Sequence, residues 1–242
     1  MTSTSVMIER IGETSLRPKA RIAGTFYLLT FLAGGVAAVS GRFVVSDDAA
    51  ATARNILAHE PSFWLGFAAY LTVVACYVTV TALLYELFRP VDRNLSLLAA
   101  FFSLVGCAIQ ASICVFLVAP LVLLGGNRYL SIFSAEQLQA LAYLSLGLYG
   151  QAFNIAFVFF GFYCALIGYL IFRSTFLPRI LGVLMVISGL GWLTFLYPPL
   201  RSHLDPYIRV PGIVGEASLT LWLLVMGVNV PRWNKQAAQR YS

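Results

Sequence analysis

The sequence predicts an all-α fold: a polytopic membrane helical bundle of six transmembrane helices, N-in and C-in, with a short surface helix in the first outer loop. Three observations predict it. The composition is 60% hydrophobic and only 11% charged, with a mean hydropathy of +0.82, which a soluble domain burying one face per helix does not reach. Six apolar runs are long enough to cross about 30 Å of hydrocarbon as helices of roughly 20 residues. They exceed strand length and lack polar alternation, which favours a helical bundle over an outer-membrane barrel. Lastly, Lys and Arg are distributed unevenly between alternate sides.

The runs are Ala20 to Val39, Phe63 to Phe88, Leu95 to Leu124, Leu148 to Phe172, Leu177 to Tyr197 and Val210 to Val230. They divide the chain into a cytoplasmic N-terminal tail at 1–19, a six-helix transmembrane domain at 20–230 and a cytoplasmic C-terminal tail at 231–242. The first run is longer than a secretory core of about 7 to 15 residues, so it is expected to stay as an anchor. Eleven basic residues fall on the side of the two tails, among them Arg17, Lys19, Arg21, Arg89, Arg173 and Arg232. Five fall opposite: Arg42, Arg54, Arg128, Arg201 and Arg209. Both termini are therefore expected in the cytoplasm, with the chain in the cell inner (plasma) membrane. The formal charge of +6 then attracts anionic headgroups at the inner face, while the scatter of the cations argues against nucleic acid.

Inner connections are tight ("FRPVDRN", "FRSTFLPR") and outer ones long, at Ser40 to Ser62, Gly125 to Gly147 and Pro198 to Arg209. In the first outer loop "SDDAAATARNILAHE" offers Ser46 or Asp47 as an N-cap, then a helix with a modest apolar side (Ala53, Ile56, Leu57) ended by Pro61. In the second, Ser134 and Gln137 have capping-box spacing, which starts a helix ahead of the fourth span, with Gly147 and Gly150 as bends. "RIAG" at 21–24 and "RILG" at 179–182, with "FR" pairs at 88–89 and 172–173, hint at duplication. A shared need for an interfacial Arg and a packing Gly explains them more simply.

The stretches "SDDAAATARNILAHE", "LFRPVDRNLSLLAA" and "FFGFYCALIGYLIFRSTFLPRILGVLMVISGLG" resemble a bacterial family of multi-span membrane proteins known only as a domain of unknown function. The resemblance covers about Arg17 to Val230. It implies a six-helix membrane protein and transfers no catalytic residue.

Polar groups inside spans are the remaining signal, since each needs a partner in hydrocarbon. Gln110, Gln151, Asn154 and Glu216 all fall in the outer half and are the candidate ligand-binding residues. Asn154 shares a side of its helix with Gly150, Gly161, Ala165 and Gly168, at about 100° per residue, a stripe suited to close helix packing. Glu216 lies on a face with Gly212, Thr220 and Gly227. It is expected either to pair with Arg42, Arg201, Arg209 or Gln110, or to be a proton or cation site. Glu86 should form an interfacial ion pair with Arg89, one turn on.

His59 beside Glu60 and His203 near Asp205 lack a recognised ligand spacing, so no metal is expected, and no fingerprint calls for a cofactor. Cys76, Cys107, Cys114 and Cys164 lie inside spans and read as small packing residues. Phe157, Phe159 and Phe160 read as packing or lipid surface, and Trp64, Tyr129, Tyr197 and Trp233 as interfacial anchors. Two function classes stay open. The first is a non-enzymatic binder of a lipid, a small amphiphile or a partner helix through the outer half of the bundle, with membrane lipids and a homo-oligomer as partners. The second is a small transporter or lipid-directed membrane enzyme using Glu216 with His59 or His203.

Overall fold

In a computed structural model of the chain, the structure describes residues 3–241, and side chains at 16–197, 199, 207 and 210–239. The described residues are all-helical: α1 (Ser3–Ala37), α2 (Ala49–Ala58), α3 (Glu60–Phe88), α4 (Arg93–Leu124), α5 (Ala135–Arg173), α6 (Arg179–Leu193), α7 (Pro198–Val225) and α8 (Val230–Tyr241), with 3-10 turns at Ala38–Phe43, Arg128–Leu130 and Thr194–Leu196. Among them, five segments are long and apolar enough to cross a membrane: Leu16–Phe43, Glu60–Phe88, Arg93–Leu124, Ala135–Arg173 and Arg179–Leu196. A sixth is counted if Val210–Val225 and Val230–Gln239, bent by 105°, are taken as one span. The chain is a multi-span membrane protein.

Several boundaries differ from the sequence expectation for local reasons. The helix α2 is capped by Asp48, whose Oδ1 accepts from the Ala51 N–H at 2.7 Å, while Asp47 takes a left-handed φ of 58°. Pro61 does not end that helix. His59 does, with φ −126°, and Pro61 enters the first turn of α3, where a missing N–H costs nothing. The Ser134–Gln137 capping box forms in both directions, at 2.9 and 3.3 Å. The helix it starts runs without a break to Arg173, 39 residues in all, through both glycines expected to bend it. The expected loop at Pro198 to Arg209 is helical, with Pro198 and Pro199 in the first turn of α7, where proline is tolerated. The sixth run stops at Val225, not Val230. Gly227 has φ 67° and its N–H reaches the Trp222 carbonyl at 3.0 Å, a glycine-terminated helix end. Asn229 Oδ1 then accepts from the Arg232 N–H at 3.2 Å, starting α8 in the segment expected as a tail.

The chain divides into two compact units. One comprises Met1–Leu28, Cys76–Gly106 and Phe157–Ser242, and it is held by glycines at helix crossings. A Cβ on Gly168 would stand 2.6 Å from the Gly182 carbonyl oxygen, and one on Gly189 the same distance from the Ala165 nitrogen. So the stripe Gly161, Ala165, Gly168 brings α5 against α6 backbone to backbone. Gly150 has open space where a Cβ would be, so the packed stripe begins at Gly161. Gly215 meets the Leu184 carbonyl oxygen at 2.6 Å, and Gly24 meets the Leu224 nitrogen at 2.6 Å. These seat α7 on α6 and on α1.

The "RIAG" and "RILG" glycines are therefore both packing positions. The two "FR" pairs are not equivalent: Phe88 is fully buried and Phe172 is exposed. Asp92 and Arg173, from the two tight connections, approach to 3.9 Å. Within the same unit α8 bonds back to its surroundings, with Gln236 accepting from the Thr175 N–H at 3.0 Å and Trp233 Nε1 donating to the Leu87 carbonyl at 2.9 Å.

The other unit comprises Leu29–Ala75 and Cys107–Ala156. Its core is Ile56, Phe63, Leu117 and Leu121, with Phe43, Phe67, Leu146 and Tyr149 packed around it. The short helix α2 is thus docked through Ile56, while Leu57 faces outward. The Asp47 N–H donates to the Tyr143 hydroxyl at 2.9 Å, tying the segment before α2 to α5.

Candidate functional site

The sixth helix presents its acid where glycine has cleared space. At Gly212, one turn before Glu216, a Cβ would stand 2.5 Å from the Trp192 ring. The absence of that carbon lets the indole of α6 lie against α7. Trp192 Nε1 then donates to Glu216 Oε1 at 3.1 Å. Ser188, one turn earlier on α6, donates to the Gly212 carbonyl at 2.8 Å and fixes the crossing.

Three other helices complete the shell. Tyr27 of α1 donates to Glu216 Oε2 at 2.8 Å, and Tyr77 of α3 donates to the same oxygen at 3.1 Å. Cys164 of α5 places its Sγ 3.7 Å from Oε1. The two phenol oxygens lie 3.4 Å apart, with their rings edge-on at 5.6 Å. A carboxylate offers about four lone-pair positions, and these four donors fill them. Glu216 itself is half-buried, whereas Tyr27, Tyr77, Cys164 and Trp192 are all buried. The aromatics around them are packing: Phe157 stacks on Trp192 at 4.5 Å, and Phe160 meets Tyr77 at 4.7 Å.

The described partners of Glu216 are all neutral donors. Arg42 is an exposed residue of the other unit, and the side chains of Arg201, Arg209 and His203 lie outside the described residues. Gln110, Gln151 and Asn154 also belong to the other unit, where Gln110 is buried, Asn154 half-buried and Gln151 exposed. The ligand-binding group read from sequence thus divides between the units, with Glu216 in one and the amides in the other.

Sequence reasoning missed the phenols, the thiol as a carboxyl partner, and the indole. The available signal was Tyr27 and Tyr77 themselves, since a hydroxyl deep in an apolar run needs a partner as much as an acid does.

A second feature lies in the same unit, between α1, α3 and α8. A cavity of about 400 Å³ is lined by Lys19, Glu86 and Arg89 on its polar side and by Leu16, Leu83 and Trp233 among its apolar walls. Lys19 Nζ and Glu86 Oε2 are 3.1 Å apart, with both side chains more than half exposed. Glu86 thus has the expected interfacial ion pair, but with Lys19 in place of Arg89.

The remaining candidates have structural surroundings. His59 Nδ1 lies 3.0 Å from the Asn55 carbonyl, and its ring stacks on Phe43 at 5.0 Å. All four cysteines are free and buried. Among the described residues no three His, Cys, Asp or Glu side chains gather as metal ligands would.

An uncharacterized protein of Archaeoglobus fulgidus is 24% identical over 164 residues, which cover 64% of this chain and 79% of that protein. No solved structure matches the chain. The model of the family described as Domain of unknown function (DUF4386) matches residues 22–227, the segment that holds the whole Glu216 shell, and the chain belongs to that family.

Proposed function

We propose that this protein is a non-enzymatic binder of a lipid or small amphiphile, and that it holds the headgroup in the cleft between α1, α3 and α8. The cleft carries the reading: it pairs apolar walls with Lys19, Glu86 and Arg89, at the ends of spans that begin at Leu16 and end at Phe88. Two cations against one acid favour an anionic headgroup. Arg89 brings a planar fork suited to phosphate, and Trp233 an amphipathic ring of the kind that sits at headgroup level.

In this reading both termini face the cytoplasm of a bacterial inner membrane, because the basic residues concentrate on that side. The cleft then sits on the inner side, opposite to the outer half first expected to bind.

The test is lipid retention by the purified full-length protein, read by native mass spectrometry in mixed phosphatidylglycerol and phosphatidylcholine. Wild type should retain phosphatidylglycerol preferentially, and the double substitution Lys19→Gln and Arg89→Gln should lower that preference several-fold. Equal retention by both proteins, or retention of a second copy of the chain in place of lipid, defeats the reading.

A further inference from the structure

We propose that Glu216 is a proton-binding site, with the proton on Oε2 between the Tyr27 and Tyr77 hydroxyls and with Oε1 kept as the acceptor of Trp192. The two carboxyl oxygens face different chemistry. An indole N–H can only donate, and a thiol is weak both as donor and as acceptor, so Oε1, with Trp192 at 3.1 Å and Cys164 at 3.7 Å, has among the described residues only a weak sulfur acceptor for a proton. Both neighbours of Oε2 are hydroxyls, at 2.8 and 3.1 Å. A hydroxyl both donates and accepts, and it turns about its C–O bond to suit. When Oε2 carries a proton, one phenol turns to accept it. That phenol's own O–H can then point to the other phenol oxygen, 3.4 Å away. Both protonation states are thus hydrogen-bonded without moving a heavy atom.

The step balances. A hydronium gives its proton to a phenol oxygen while that phenol passes its own O–H proton to Oε2. The phenol is neutral before and after, and the positive charge taken from water cancels that of the carboxylate.

The groups facing the site from each packed helix are Tyr27 on α1, Tyr77 on α3, Tyr163 and Cys164 on α5, and Trp192 and Ser188 on α6. On α7 itself Thr220 Oγ1 donates to the Glu216 carbonyl at 2.8 Å. Among the described residues that face it, none carries a fixed charge. An ionised acid held only by neutral groups at membrane depth is costly, and taking a proton removes that cost.

Infrared spectroscopy of the full-length protein in lipid nanodiscs tests this. Over the pH range in which it stays folded, wild type should show a carboxylic-acid C=O band that disappears in Glu216→Gln and moves down in frequency in D₂O. Trp192→Phe should raise that frequency more than Tyr77→Phe does, because Trp192 bonds the C=O oxygen of the acid form. If Glu216→Gln fails to fold, the Trp192→Phe shift assigns the band instead. Absence of any such band overturns the proposal and makes Glu216 a permanently ionised scaffold acid. A band moved by Tyr77→Phe but not by Trp192→Phe overturns the placement on Oε2. A band that never shifts in D₂O shows a sealed acid and defeats the relay. None of these outcomes depends on lipid retention in the cleft.

Discussion

Glu216 and Glu86 belong to the same compact unit, and each is a carboxyl on an apolar helix, but the molecule treats them in opposite ways. Glu86 is more than half exposed and answers a lysine at 3.1 Å. Glu216 is half-buried, and each of its oxygens is held by two side chains drawn from four different helices. Water at an exposed position already satisfies both charges, so a surface pair adds only about 0–1 kcal/mol. Away from water the partners must satisfy the acid, and the acid must satisfy them. Removing it would strand the indole and one of the two phenols, the other donating across the 3.4 Å between the hydroxyls, at about 1–3 kcal/mol for each buried group left without a bond. The same residue type is thus an ornament at one end of the unit and a junction in the other.

The sharpest way to break this comparison is to remove each carboxyl. Glu216→Leu should cost on the order of 2–6 kcal/mol, the sum for the two stranded donors, and thermal unfolding in detergent should show a large fall in midpoint. Glu216→Gln should cost only about 1 kcal/mol. Its carbonyl can still accept from Trp192, and the phenols can turn to accept from its amide. Had the partner been an arginine, neutralising the acid would have cost about 3–5 kcal/mol. A large loss in Glu216→Gln, restored by a second substitution at Arg201 or Arg209, would therefore reinstate a cation partner.

The next largest effect lies in the frame that brings the donors together. Cys164 and Trp192 reach the same oxygen only because α5 and α6 touch along Gly161, Ala165, Gly168, Gly182 and Gly189. Gly168→Val puts a Cβ 2.6 Å from the Gly182 carbonyl oxygen, where backbone and not a flexible side chain must yield. We expect a loss of about 1–3 kcal/mol, with thermal unfolding as the measure. The indole fluorescence should change with it as Trp192 is displaced. A neutral Gly168→Val would mean that the helices can separate without disturbing the shell.

That frame was legible in the sequence where a rule is local. The runs from Phe63, Leu95 and Leu148, the Ser134–Gln137 box and the small-residue stripe on α5 all follow from spacing along one helix. Glu216 was legible as the sharpest buried acid for the same reason. Its partners were not, because Tyr27 and Tyr77 are 189 and 139 residues away in the chain, and helix periodicity says nothing about which helices meet. The pairing rules the sequence offered, opposite charge and amide hydrogen bonding, pointed to arginines and Gln110. The cleft was illegible for a related reason. It needs α8, and the segment after Val230 reads as a polar tail until Gly227 turns the chain and Asn229 caps a new helix.

The turn itself gives a smaller, more local effect. Gly227 holds φ at 67°, a region that costs a residue with a Cβ about 1–2 kcal/mol. Gly227→Ala should lower stability by about 1 kcal/mol and loosen α8, exposing Trp233. Its indole should then quench more readily with acrylamide, while the Glu216 shell, built without α8, stays in place. Equal disturbance of both regions would show that the sixth helix and α8 respond as one body.

The smallest effect sharpens the comparison most, because it asks whether the exposed pair matters to the fold at all. Lys19→Gln, Glu86→Gln and the double substitution form a cycle whose coupling we expect at about 0–1 kcal/mol, shrinking further as salt is raised toward 1 M, where the screening length is about 3 Å. The reasoning is that Lys19 Nζ and Glu86 Oε2, each more than half exposed, lose little hydration when they meet and must hold two flexible side chains still to do so. Lipid retention should respond differently from stability. Glu86→Gln removes the one acid from a cleft that also presents Lys19 and Arg89, so retention of an anionic headgroup should rise even as the fold is unchanged. Lys19→Gln should lower it. A coupling well above 1 kcal/mol that survives high salt would mean that this pair is as much a structural junction as the shell of Glu216, and the contrast between the two acids would fail.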